Sequence, residues 1–200
     1  SYRHFLYLRH YLSLLEAMFE RKGCKLVIKV GNALTILKSL LDKHNAEKIY
    51  SHYETWNEFA RSRDKTIRRW VTENSVDWIE YQQNGVVKDL KCRDGWSTRW
   101  HDYMRRKIYE VPAKIFCISE VSDKIPSFQD LNLEFDGFKP NTSFGKTDPT
   151  IVLESFLTKR GQNYQREMSG PLLSENSCSR LSTHIAFGTI SIRTIFQRTK

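Results

Sequence analysis

Lys25-Leu26-Val27-Ile28-Lys29-Val30-Gly31-Asn32 is the stretch that decides the fold of this 200-residue chain. A short run rich in β-branched residues reads as a largely buried strand, and Gly31-Asn32 turns it into a helix whose core face is Leu34, Leu37, Leu40 and Leu41. Upstream, Phe5, Leu8, Leu12, Leu15 and Phe19 repeat at three and four, which predicts an amphipathic helix that Gly23 ends. Downstream, Ile49-Tyr50-Ser51-His52 reads as a second strand, Glu58 to Thr72 as a helix, and Trp78-Ile79-Glu80-Tyr81 as a third strand. Strands alternating with helices of this length imply parallel pairing through crossovers, an α/β layer fold with Val27, Ile28, Ile49 and Ile79 between layers. Ligands of such sheets lie beyond the carboxyl ends of the strands, so Gly31-Asn32 and His52-Tyr53-Glu54 mark the expected functional edge.

Between Ser119 and Thr150 the periodicity lapses, punctuated by Pro126, Gly137, Pro140, Gly145 and Pro149. This predicts a surface linker. Helical patterning resumes with Leu153, Phe156 and Leu157, giving a division into 1–118, 119–150 and 151–200. No internal repeat or low-complexity tract is present.

Composition narrows the classes. Hydrophobic residues make up 40% and aromatic residues 12%, a globular balance. No apolar run approaches the ~20 residues that a membrane-spanning helix needs, which points to a cytoplasmic protein without a membrane partner. Cys24, Cys92, Cys117 and Cys178 lack Cys-x-x-Cys spacing, so they are expected to be free, mostly buried thiols rather than zinc ligands. The six histidines show no metal spacing either. A net charge of +9 suits a polyanionic partner, nucleic acid first, and Arg99, Arg105, Arg106 and Lys107 crowd one helix. Arg63-Asp64 reads as a structural pair, and His184 as a hydrogen-bonded structural residue. Trp56, Trp70, Trp78, Trp96 and Trp100 read mainly as core positions.

The chemistry concentrates near Ser179-Arg180-Leu181-Ser182-Thr183-His184-Ile185-Ala186-Phe187-Gly188-Thr189-Ile190-Ser191-Ile192-Arg193. Two hydroxyls opening a helical pattern suit a phosphate or diphosphate at a helix N-terminus, although on local chemistry alone the favoured reading is that Ser182 or Ser179 simply caps an ordinary helix. The string Ser-Arg-Leu-Ser-x-x-x-x-Phe-Gly-x-Ile-Ser-x-Arg resembles the start of the flavin-binding domain of the photolyase/cryptochrome family. Ser1-x-Arg3-His4, Leu14-Leu15, Val30-Gly31-Asn32 and Arg61-Ser62-Arg63-Asp64 are similar to that family's N-terminal α/β domain. Trp78-x-Glu80-Tyr81-x-x-Asn84-Gly85-Val86-Val87 and Gly95-Trp96-x-x-x-Trp100 look like one branch of it.

The resemblance implies a Rossmann-like parallel sheet with flanking helices, lacking the family's first strand, then a linker and the beginning of an all-α flavin-binding domain. On this likeness the chain is an internal fragment, expected to be inactive alone. Cys178, Ser179, Arg180, Leu181 and Ser182 match the run that contacts the FAD diphosphate, with Cys178 standing where the family usually has Thr, and Tyr164 matches a flavin-contacting tyrosine. The intact protein is expected to be a monomeric, blue-light-dependent photolyase, a carbon–carbon lyase that splits cyclobutane pyrimidine dimers in damaged DNA by electron transfer from reduced FAD. A cryptochrome photoreceptor with a signalling partner protein is the alternative within the family. Met168 stands where DNA-repairing members usually carry an Arg facing the DNA backbone, and a thioether cannot neutralise a phosphate. A second antenna chromophore, which could be a folate, a deazaflavin or FMN, is common in the family and is not assigned to residues here. The alternative outside the family is an unrelated α/β protein holding an adenine nucleotide at Gly31-Asn32.

Overall fold

The computed structural model describes residues 1–55, 57–87, 90–139 and 148–200, so Trp56, Pro140 and Gly145 lie outside the described residues. The chain divides into two compact units, Lys29–Arg106 and a second made of Ser1–Ile28 with Lys107–Lys200.

In the first unit, α2 (Ala33–His44) begins at Asn32, whose side chain accepts a hydrogen bond from Thr35 N, and ends at Asn45 in the left-handed conformation. Strand β1 (Lys48–His52) and strand β2 (Asp77–Tyr81) pair in parallel, with Lys48 opposite Asp77 and His52 opposite Tyr81. Helix α3 (Glu58–Glu73), capped by Asn57, connects them and buries Ala60, Ile67 and Val71. Arg68 of α3 lies over the Trp78 ring at 4.6 Å and pairs with Glu80, while Trp78 Nε1 donates to Ser51 Oγ at 2.9 Å. Helix α4 (Trp96–Arg105) buries Tyr103 and Met104, and the Tyr103 hydroxyl donates to the Gln82 carbonyl at 2.7 Å. Trp100 of the same helix crowds Gly85 so closely that any Cβ there would overlap the indole ring.

Parallel strands therefore alternate with helices as expected, but among the described residues the sheet has two strands. Lys25–Val30 does not join it. Instead Lys22 O accepts from Ile115 N at 3.3 Å, Ile28 O accepts from Asp123 N at 2.8 Å, and Ile28 N donates to Ser122 Oγ at 2.9 Å. Residues 22–28 thus run alongside 115–123 in the same direction, and one of the contacts goes to a side chain, so no regular ladder forms. With only two strands, Ile49 and Ile79 are half-buried rather than enclosed between layers, as are Val27 and Ile28.

Contrary to expectation, the four cysteines are not all free thiols. Cys24 and Cys117 form a disulfide within this alignment, with Cα atoms 5.7 Å apart, inside the usual range. Cys92 is an exposed thiol and Cys178 a half-buried one.

In the second unit, α1 (Tyr2–Arg21) places Phe5 against Phe128 at 5.4 Å, and Tyr2 between the edges of Phe128 and Phe135. Helix α5 (Pro149–Thr158) starts at Asp148, whose carboxylate accepts from Thr150 N, and Pro149 fits the first turn because no N–H partner is needed there. A 3-10 turn (Arg160–Asn163) leads to α6 (Tyr164–Glu167), α7 (Ser174–Ser177), α8 (Ser182–Ala186) and α9 (Ile192–Arg198). Leu153, Leu181 and Ile190 form a core cluster, with Val152, Ile185 and Ile195 packed against it.

Leu153 is 1% exposed and Ile151, two residues earlier on α5, is 63% exposed. Urea unfolding is expected to show Leu153→Ala losing about 2–5 kcal/mol through the cavity it leaves. Ile151→Ala should stay within about 0.5 kcal/mol of the native chain.

Candidate functional site

The segment between α7 and α8 is shaped by one side chain. Arg160 follows α5, and its guanidinium donates from Nε to Ser155 Oγ at 2.9 Å and from Nη2 to the Val152 carbonyl at 2.9 Å. The same group donates from Nη1 to the Cys178 carbonyl and from Nη2 to the Ser179 carbonyl at 3.2 Å. One planar fork therefore ties the end of α5 to two consecutive carbonyls 18 and 19 residues later.

The consequence follows from peptide geometry. In a trans peptide the C=O and N–H point in opposite directions, and the described chain contains no cis bond. Carbonyls of Cys178 and Ser179 turned toward Arg160 send the N–H groups of Ser179 and Arg180 away from it. Arg180 has φ 61 and Leu181 has φ −91, ψ −8, a left-handed residue followed by a right-handed one. That succession curves the N–H groups of Arg180, Leu181 and Ser182 into a concave donor array, a shape that receives anions. Among the described residues, none of the amides from Ser179 to Ser182 meets a backbone acceptor.

Each predicted residue has a distinct place. Leu181 is buried in the core cluster and anchors the loop from below. Ser179 and Cys178 are half-buried, and Arg180 and Ser182 are exposed. Leu181, not a serine, holds the cap position of α8, and no side-chain cap bond is made there. The serines thus do not act as caps in this structure. Helix α8 has only five residues and ends at Ala186, so donor capacity comes from the turn rather than from a helix dipole. The second half of the motif is architectural: Gly188, at φ 70, ends α8, and Ser191 caps α9 by accepting from Arg193 N.

Tyr164 packs its ring against the edge of Phe156 at 5.8 Å, beside an open groove lined by Leu157, Gly161, Gln162 and Asn163. Met168 is 48% exposed, and Arg166 pairs with Glu167 at 3.6 Å. Arg160 is the residue that sequence reasoning missed. An arginine that binds backbone carbonyls leaves no pattern in the sequence, because its partners have no side-chain identity to read.

His184 is buried, its Nδ1 lying 2.9 Å from Thr189 Oγ1 and 3.3 Å from the Tyr11 hydroxyl. Burial lowers its pKa, partly opposed by the Asp148 carboxylate, and the Tyr11 hydroxyl is raised by burial with Tyr7 nearby. Arg63 and Asp64 pair side by side at 2.7 Å, as a structural pair would. On α4, Arg99 donates to the Asp94 carbonyl at 3.0 Å, so this member of the basic group is already engaged. At the expected sheet edge, Asn32 is occupied as the cap of α2, an ordinary structural role. Among the described residues, no group of three His, Cys, Asp or Glu side chains stands together as a metal site would need. No helix of the described residues is long and apolar enough to cross a membrane.

Residues 1–97 match the family model of DNA photolyase. Over that stretch the chain is similar to the DNA photolyase family. The photolyase fold extends further along the chain. A bacterial class III photolyase from Agrobacterium tumefaciens superposes with a TM-score of 0.72 at 19% identity, covering 99% of this chain and 44% of its own. An archaeal photolyase from Sulfolobus tokodaii, whose structure holds two FAD molecules, gives a TM-score of 0.61 at 20% identity, covering 97% of this chain and 43% of its own. The chain thus spans less than half the length of these photolyases. No curated protein matches it.

The burial of His184 makes stability depend on pH. Its pKa is lower folded than unfolded, so its neutral form supports the fold fully above the unfolded value of about 6.5. That support is lost as pH falls through the folded pKa. Thermal melts are expected to show the native chain losing stability between pH 7.5 and pH 5.5, with a shallower loss in His184→Asn.

Proposed function

We propose that the intact protein is a light-driven flavoprotein of the photolyase/cryptochrome type, in which residues 178–182 hold the diphosphate of FAD. The observation that carries this reading is the run of amides from Ser179 to Ser182 left without backbone acceptors on a curved turn. The donor set fits the cofactor: consecutive N–H groups, the Ser179 and Ser182 hydroxyls and the Arg180 cation present donors and positive charge, without a carboxylate among these five residues. Ser179 and Ser182 supply hydroxyl hydrogen bonds, and the turn supplies oriented amides. Cys178 adds at most a weak donor where the family usually has a hydroxyl. Leu181, locked in the core, keeps the turn from collapsing. Tyr164 offers an aromatic wall beside the groove at Phe156.

The chemistry such a cofactor supplies when bound is light-driven one-electron transfer, which in a photolyase is spent on a pyrimidine dimer flipped out of DNA. A net charge of +9 supports a DNA partner. The second reading, a cryptochrome that signals without repair, is favoured by one residue: exposed Met168 offers no positive charge where repairing relatives are expected to place an arginine. A second pigment belongs to this proposal without assigned residues, and the archaeal relative's two FAD molecules support it.

Hydrogen bonds to charged groups contribute about 1.5–3 kcal/mol each. Titration of FAD into full-length apoprotein, followed by flavin fluorescence, is expected to show Ser179→Ala with Ser182→Ala weakening binding by more than about tenfold. Unchanged affinity in the double variant would remove the flavin assignment from this loop.

A further inference from the structure

We infer that Arg160 is the positioning residue of the diphosphate loop: it fixes the direction of the amides that meet the anion while making no contact with the anion itself. The inference rests on the flavin-diphosphate reading above and adds to it a residue outside the motif.

Four hydrogen bonds and one ring contact define what this guanidinium does. Ser155 Oγ and the Val152 carbonyl hold it on the α5 side, and the carbonyls of Cys178 and Ser179 take it on the loop side. Its carbon lies 5.9 Å from the centroid of the Phe156 ring. All three nitrogens are thereby committed to protein acceptors, so the group has little left to offer a phosphate. Among the described residues its positive charge is compensated by carbonyl and hydroxyl dipoles rather than by a carboxylate.

The two loop carbonyls would otherwise be free to rotate about their flanking bonds. A rotation of either peptide unit reverses the direction of its N–H, and that of Ser179 or Arg180 would then point into the protein instead of toward the anion. Arg160 prevents both rotations at once because its fork grips adjacent carbonyls in one plane. The residue that follows the gripped carbonyls, Arg180, lies in the left-handed region at φ 61, which is uncommon for a non-glycine residue. Preorganising donors in this way removes an ordering cost from binding. A lysine at position 160 would keep the charge but could not hold both carbonyls in one rigid plane.

The test uses full-length apoprotein with Arg160→Ala, Arg160→Lys and the Ser179→Ala, Ser182→Ala pair, each titrated with FAD and with riboflavin, which lacks the diphosphate. Far-ultraviolet circular dichroism follows the fold. The expected result is that Arg160→Ala lowers the ratio of FAD affinity to riboflavin affinity by about tenfold or more while the spectrum is retained. Arg160→Lys is expected to lower the same ratio by a smaller factor, and it decides the question if the alanine variant does not fold. A native ratio in the folded Arg160 variant, alongside a reduced ratio in the serine pair, would overturn the positioning role and leave the flavin reading standing. Equal losses for FAD and riboflavin in the Arg160 variant would also overturn it, since they would mark a role in folding alone. A native ratio in the serine pair would instead show that the diphosphate does not sit on this loop, and would end both readings.

Discussion

The helical half of the candidate site depends on one bidentate contact, the Arg160 guanidinium on the carbonyls of Cys178 and Ser179. Hydrogen bonds from a charged donor are stronger than neutral ones, and a fork adds directional control that a single bond lacks. From that contact follows the direction of the Ser179 and Arg180 amides, and the loop continues through a left-handed residue at Arg180. The seating of Leu181 in the core beside Leu153 and Ile190 closes the same loop from its other end. The loop is thus held at both ends by different forces, one electrostatic and one apolar, leaving its donor face outward. Gly161, next to Arg160, has no room for a side chain, because a Cβ there would come within 2.7 Å of the Phe156 carbonyl.

Much of the fold was legible in the sequence where the signal was local. The apolar stripes predicted α1 and α2, and the strands at Lys48–His52 and Asp77–Tyr81 appear in parallel as their alternation with helices implied. Periodicity says which face of an element is apolar, but not what covers it. Lys25–Val30 has the composition of a sheet strand, yet its neighbour is a segment some ninety residues later, and the contacts there reach a serine hydroxyl as well as backbone. The Cys24–Cys117 disulfide belongs to the same long-range alignment and has no local spacing by which to read it.

The candidate site was legible in a different way. The motif drew attention to residues 178–193, which the proposal divides between two kinds of work. Leu181, Gly188, Ile190 and Ser191 build and end elements, whereas half-buried Ser179 and exposed Arg180 and Ser182 are the donors of the proposal. Sequence reasoning credited the donors to a helix N-terminus, but a helix of five residues is too short to supply one, and the turn before it takes that part. The match of residues 1–97 to the DNA photolyase family model and the photolyase-like fold along nearly the whole chain give this loop its context.

The central claim is that the amides from Ser179 to Ser182 face the diphosphate of a bound flavin. Hydrogen–deuterium exchange of the full-length protein, followed at single-amide resolution with and without FAD, tests it most directly. The account predicts that these amides exchange freely in the apoprotein and become protected when FAD binds, while the amides of α4 are unaffected. Flavin binding that leaves the exchange of Ser179, Arg180, Leu181 and Ser182 unchanged would contradict it.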